Sequence, residues 1–123
     1  MQKEIYFNFN GHDFDFDFVH PTLNNLYVIY DKVSGLNMTT VFVCKNDYVA
    51  IQGFKEFVEK QRENKVQDYS IFQLYRLGTI NFDEKNIFPN NEENFSGFVC
   101  DSNLEFTDFF NQANEFINAN TED

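Results

Sequence analysis

Tryptophan is absent, and histidine and cysteine occur twice each. These scarcities close off much chemistry at the outset. Cys44 and Cys100 stand alone, without the close spacing of a zinc knuckle or a dithiol redox motif, so they are expected as reduced thiols of a cytosolic protein. A bridge between the two is the alternative. His12 sits at a turn and His20 beside Pro21, neither with a Cys or His at metal-ligand spacing, so no metal or other cofactor is expected. Nucleophilic catalysis needs a Ser or Cys with an oriented His base, and nothing marks out a two-carboxylate pair, so the chain reads as a non-enzyme. Five glycines are scattered singly, which leaves no phosphate-cradling loop. The apolar runs are short, and MQKEIYFNFN lacks the basic-then-apolar order of a signal peptide, so a cytoplasmic protein without membrane contact is expected.

Positive charge is also scarce, with nine Lys and Arg against twenty Asp and Glu and a net charge of −11. Affinity for nucleic acid rests on neutralising phosphates, which makes direct binding an unfavoured reading. Stacking of single strands on Tyr69, Phe72 or Tyr75 would be the route left to it. The acidic excess is not spread evenly. Residues 26–88 balance eight basic against eight acidic side chains, residues 1–25 carry one Lys against four acids, and residues 89–123 carry eight acids and no base. The sequence therefore reads as one domain with a neutral central module and two acidic ends. Phenylalanine is abundant at 17 residues. Asparagine is equally frequent, and an AT-rich coding sequence would enrich both.

Residues 3–18, KEIYFNFNGHDFDFDF, predict a β-hairpin. Asn10-Gly11 suits a two-residue type I′ turn, in which both central positions have positive φ. The register pairs Phe9 with His12, Phe7 with Phe14 and Ile5 with Phe16 on one face. On the other, Asn8 meets Asp13, Tyr6 meets Asp15 and Glu4 meets Asp17. Asp13, Asp15 and Asp17 would then line up at steps of about 7 Å. They do not form a calcium loop, because Phe intervenes and the glycine and distal Glu of an EF-hand are missing. They read either as a solvated strand face or as a recognition surface.

After His20-Pro21 a new unit begins. LYVIYDKV from Leu26 to Val33 fits strand or helix by period, with its Val, Ile and Tyr content and the Ser34-Gly35 turn favouring a strand. TTVFVC at 39–44 is its expected hairpin partner. NDYVAIQGFKEFVEKQRE, from Asn46 to Glu63, predicts an amphipathic helix capped by Asn46 or Asp47, with Ala50, Phe54, Phe57, Val58 and Gln61 on one stripe. YSIFQLYRLGTINF reads as a long strand bent or bulged at Gly78, followed by a turn at 83–86 and a return through Ile87 and Phe88. Near the C-terminus Phe98–Cys100 predicts a short strand, and a helix over about 102–118 follows. Ser102 and Glu105 fit a capping box there, with Thr107 as a rival cap. Its polar side would present Asp108 and Glu115.

YVIYDKVSG, TVFVC, NDYVAIQGFKEFV and DYSIFQLYRLGTINFDEKNI resemble, over roughly residues 26–88, the small nonstructural protein of gokushovirus-type microviruses, tailless single-stranded DNA phages. The positions carrying the likeness are Tyr27, Asp31, Asn46, Asp47, Ala50, Phe54, Leu74, Tyr75, Gly78, Phe82 and Asp83. The chain departs from that pattern by two extra residues before Phe82-Asp83 and by Gln52 where a basic residue is common. The resemblance implies a phage protein of the host cytoplasm, acting in genome replication or packaging, and carries over no catalytic residue.

The expected architecture is α+β, an antiparallel sheet with an N-terminal β-hairpin and two helices packed on one face. The expected function is that of a phage accessory protein binding a basic protein surface through Glu4, Asp13, Asp15, Asp17, Asp108 and Glu115. The alternative is an acidic inhibitor, either a toxin-immunity protein or a nucleic-acid mimic that blocks a host nuclease.

Overall fold

The computed structural model describes residues 5–64, 71–89 and 97–121. Strands β1 (Tyr6–Phe9) and β2 (His12–Asp15) form a separate two-stranded hairpin, paired as the Asn-Gly turn dictates: Tyr6 with Asp15, Phe7 with Phe14, Asn8 with Asp13 and Phe9 with His12. Asn10 and Gly11 both take positive φ, at 52° and 82°. The Asn8 carboxamide accepts from Gly11 N–H and donates to Asp13, closing the turn from its polar face.

The second sheet has six strands, β3 (Leu23–Asp31), β4 (Leu36–Asn37), β5 (Phe42–Cys44), β6 (Phe72–Asn81), β7 (Asn86–Pro89) and β8 (Phe98–Asp101). All pairings are antiparallel. β3 and β6 run side by side at the centre, with β4 and β5 on the outer edge of β3 and β7 and β8 on the outer edge of β6. The segment that could have been helix or strand is a strand, starting at Leu23 rather than Leu26. It ends at Asp31, whose carboxylate accepts from Val33 and Ser34 N–H, so the chain turns away before Val33. The expected partner 39–44 is ordered as strand only over Phe42–Cys44, and the two-residue β4 precedes it.

The expected irregularity at Gly78 is a register shift. Leu26 pairs with Gly78 and Tyr27 with Arg76, so Leu77 is the extra residue. Gly78 also lets β7 approach closely, since a Cβ there would lie 2.5 Å from the Phe88 carbonyl oxygen.

Helix α1 (Asp47–Glu63) begins under an Asn46 cap whose side chain accepts from Val49 N–H. It buries Ala50, Ile51, Phe54 and Val58 against β3 and β6. Helix α2 (Phe106–Thr121) differs from the expected capping box. Ser102 does not cap it, because its backbone N–H donates to the Phe72 carbonyl and its Oγ accepts from Phe72 N–H, extending the β6–β8 ladder. The first helical bond runs from Phe109 N–H to Glu105 O. α2 docks chiefly on the hairpin. Phe109 lies edge-on to Phe7, Phe9, Phe14 and Phe16, and Phe116 packs on Phe7 and Phe16. On its α1 side Phe106 meets Phe54 and Phe110 meets Tyr48. One continuous core joins the four hairpin Phe side chains, Tyr27, Ile29, Leu74, α1 and α2, so the architecture is α+β as expected.

Candidate functional site

The acid ladder expected on β2 is not a row of three exposed carboxylates. Asp13 is exposed. Asp15 is half-buried, and its carboxylate accepts from Asn25 Nδ2 at 2.8 Å and from Asp17 N–H at 3.0 Å. Asp17 lies beyond the strand, and its Oδ1 accepts from Val19 and His20 N–H, forming an Asx turn ahead of Pro21. The polar face of the hairpin is covered at Asp15 because the N-terminus of α1 packs there. Asp15 N–H donates to Asp47 Oδ2 at 2.8 Å, and Asn46 Nδ2 donates to the Asp17 carbonyl at 3.1 Å. Glu4 lies outside the described residues.

Behind that contact is a buried polar cluster. Only one residue of Asn46-Asp47 can cap the helix. Asn46 takes that part, and Asp47, at its first position, turns its carboxylate inward and is 1% exposed. Tyr27 OH donates to Asp47 Oδ1 at 2.6 Å, Arg76 Nη1 donates to the same oxygen at 3.3 Å, and Asp15 N–H takes the other. The helix N-terminus adds a favourable field for the negative charge. Arg76 also reaches Asp15 at 3.8 Å. Asn25 links the set, donating to Asp15 and to Tyr27 OH and accepting from Thr79 Oγ1 at 3.2 Å.

Burial raises the Asp15 carboxyl above the ordinary carboxylate range, and the Asp47 charge adds to this, while the bonds from Asn25 and Asp17 and the Arg76 charge oppose it. Burial next to Asp47 likewise keeps the Tyr27 hydroxyl protonated. Among the described residues no buried side-chain polar atom lacks a hydrogen-bond partner. The cluster therefore holds the hairpin onto the central module, with its acids directed at internal donors.

Sequence patterning missed this cluster, although one signal was present. Phe72, Leu74 and Arg76 alternate in phase, which puts a cation on the core face of β6 and calls for buried acids.

Neither cysteine is in a disulfide. Burial raises both thiols, Cys100 the more strongly. His20 Nδ1 accepts from Thr22 and Leu23 N–H, and Lys45 Nζ donates to the His20 and Leu23 carbonyls, so this loop is fixed by local bonds. Phe72, a candidate for base stacking, is 4% exposed and part of the core. Tyr75 is half-buried on the opposite face, and Tyr69 lies outside the described residues.

The second candidate region is α2. Phe109 and Ala113 are buried, and Asp108 and Glu115 are exposed seven residues apart on the outer stripe. The helix carries no basic residue. Between α1 and α2 runs an open groove of ≈ 550 Å³, lined by Tyr48, Gln52, Lys55, Glu56, Phe110 and Asn114 among others. Tyr48 OH donates across it to Asn114 Oδ1 at 2.9 Å. No described helix is long and apolar enough to cross a membrane.

The described central unit, β3 through β8, coincides with what comparison with known proteins recovers. Searches of the curated proteins and of the solved structures give no match. The profile of the family described as Phage ORF5 protein matches residues 24–102, which takes in Asn25, Tyr27, Asp47, Arg76 and Thr79 and leaves the hairpin and α2 outside. With well over half of its length matched, the chain belongs to the Phage ORF5 protein family.

Proposed function

We propose that this chain is a non-catalytic accessory protein of a small single-stranded DNA phage of the gokushovirus type. In this reading it works in the host cytoplasm by binding a basic protein surface during genome replication or packaging. The observation that carries the reading is the outer stripe of α2, where Asp108 and Glu115 stand exposed on a helix without a compensating base. Asp13 adds a third exposed acid on the hairpin. Asp15 and Asp17 take no part, since their carboxylates are engaged by Asn25 and by backbone N–H groups. The non-catalytic reading is supported by the buried cluster, whose acids and arginine satisfy one another.

A one-signed surface on a chain of net charge −11 raises encounter rates with a basic partner and is screened within about 8 to 10 Å at physiological salt. The test uses the wild-type chain and an Asp108→Lys, Glu115→Lys variant as baits in lysate of infected host cells. Association of the captured protein is then timed at low and physiological salt. The expected result is an association rate that falls with salt and drops roughly tenfold or more on charge reversal. An unchanged rate in the reversed variant would overturn the proposal.

A further inference from the structure

We infer that the face of the six-stranded sheet which no described helix covers is a self-association surface, through which two copies of this chain pair about a twofold axis. Strand alternation divides the sheet. Tyr27, Ile29, Phe72 and Leu74 face the core with α1, and no described helix covers the other side. That other side carries Val28, Tyr30, Val43, Tyr75, Ile80 and Ile87, placed together by the pairings Val28–Tyr75, Leu26–Val43 and Ile80–Ile87. Val43 is 45% and Ile87 60% exposed, whereas Val28 is buried at 7%, so the open apolar area lies on the outer strands to either side of it. Tyr75 stands edge-on between Tyr30 and Phe98, with ring centres 6.2 and 5.9 Å away. The aromatic row is thus already ordered, which lowers the entropy cost of docking on it.

Charge selects the occupant. Among the described strand positions of this face, Asp101 is the one charged residue, and its carboxylate accepts from Asn103 N–H. A single strand of nucleic acid would bring phosphates to strand positions that offer no cation, against a net charge of −11. A basic protein would find its acids elsewhere, on α2. A second copy presents the same uncharged, aromatic face, and this is where two strongly acidic chains can approach with least repulsion. Twofold pairing matches such a patch to itself, and two sheets stack about 10 Å apart with their side chains interdigitated. The dimer would carry α1 and α2 outward, leaving Asp108 and Glu115 free, so it does not depend on the proposed function.

The test is sedimentation equilibrium of the full chain at low and high salt, with Val43→Glu and Tyr75→Glu beside the wild type. A dimer is expected that tightens as salt screens the net charge. Each substitution should weaken it at least tenfold, while thermal unfolding of the exposed Val43→Glu variant verifies that the fold is kept. A wild-type monomer up to about 1 mM overturns the inference. So does a dimer that survives both substitutions, which would place the contact elsewhere, or one that salt dissociates. Binding of a thymidine oligonucleotide by a monomer, lost in Tyr75→Glu, would assign the face to single strands instead.

Discussion

Tyr27 and Asp47, twenty residues apart, meet in a 2.6 Å hydrogen bond closed to solvent, since they are 0% and 1% exposed. Tyr27→Phe keeps the ring in its place beside Phe42 and leaves the carboxylate one donor short. Hydrogen bonds to charged groups contribute about 1.5–3 kcal/mol. Urea unfolding should show a loss of about that size at pH 7, and a loss under about 0.5 kcal/mol would mean that Arg76 and the helix N-terminus suffice.

Arg76 is the counter-charge for two carboxylates, Asp47 at 3.3 Å and Asp15 at 3.8 Å. Arg76→Met retains much of the apolar stem and removes the charge, which strands both acids. Breaking a buried pair costs about 3–5 kcal/mol, and the partial exposure of Arg76 points to the low end. Part of the loss should return on acidification toward pH 5, measured as unfolding midpoints in urea at the two pH values, because protonation relieves the uncompensated charge.

Asp15 gives a pH dependence of definite sign. Its folded pKa lies above its unfolded value, so the protonated form binds its proton more tightly in the folded chain. The stabilisation is fully present below the unfolded pKa and is lost as pH rises through the folded one. Asp15→Asn removes this dependence. The stability difference, wild type minus variant, should therefore be more favourable near pH 4 than at pH 7, and denaturant titrations at both values measure it. A difference that moves the opposite way would show that Arg76 governs Asp15.

Gly78→Ala tests the close approach of β7. The added methyl would lie 2.5 Å from the Phe88 carbonyl oxygen and 3.0 Å from Pro89 Cα, both backbone atoms that cannot swing aside. Overpacking of this kind costs about 1–3 kcal/mol. Hydrogen exchange should show lost protection over β7 and little change in α1.

Local chemistry explains which parts were legible from sequence. Asn10-Gly11 and strict alternation were enough to give the β1–β2 pairing residue by residue, and the Asn46-Asp47 pair marked the start of α1 without deciding which of the two caps it. Both signals act within a few residues. The start of α2 was misjudged because the spacing of Ser102 and Glu105 satisfies two structures, a cap and the end of a strand, and pairing with Phe72 thirty residues away decided between them. The acidic strand face failed for a related reason. Alternation shows which side of a hairpin is polar but does not show that the end of a distant helix will cover it, as α1 does at Asp15. The Tyr27–Asp47–Arg76 cluster needs three elements at once, so only the phase of Arg76 hinted at it.

The packing of Phe109 and Phe116 onto Phe7, Phe9, Phe14 and Phe16 has a consequence for biosynthesis. The hairpin precedes its cover by roughly a hundred residues of chain. At translation rates of about 5–20 residues per second, its phenylalanines therefore leave the ribosome roughly 5 to 20 s before α2 can shield them. During that interval an apolar ribbon with two free edges is available to any chaperone, or to another nascent chain on the same message.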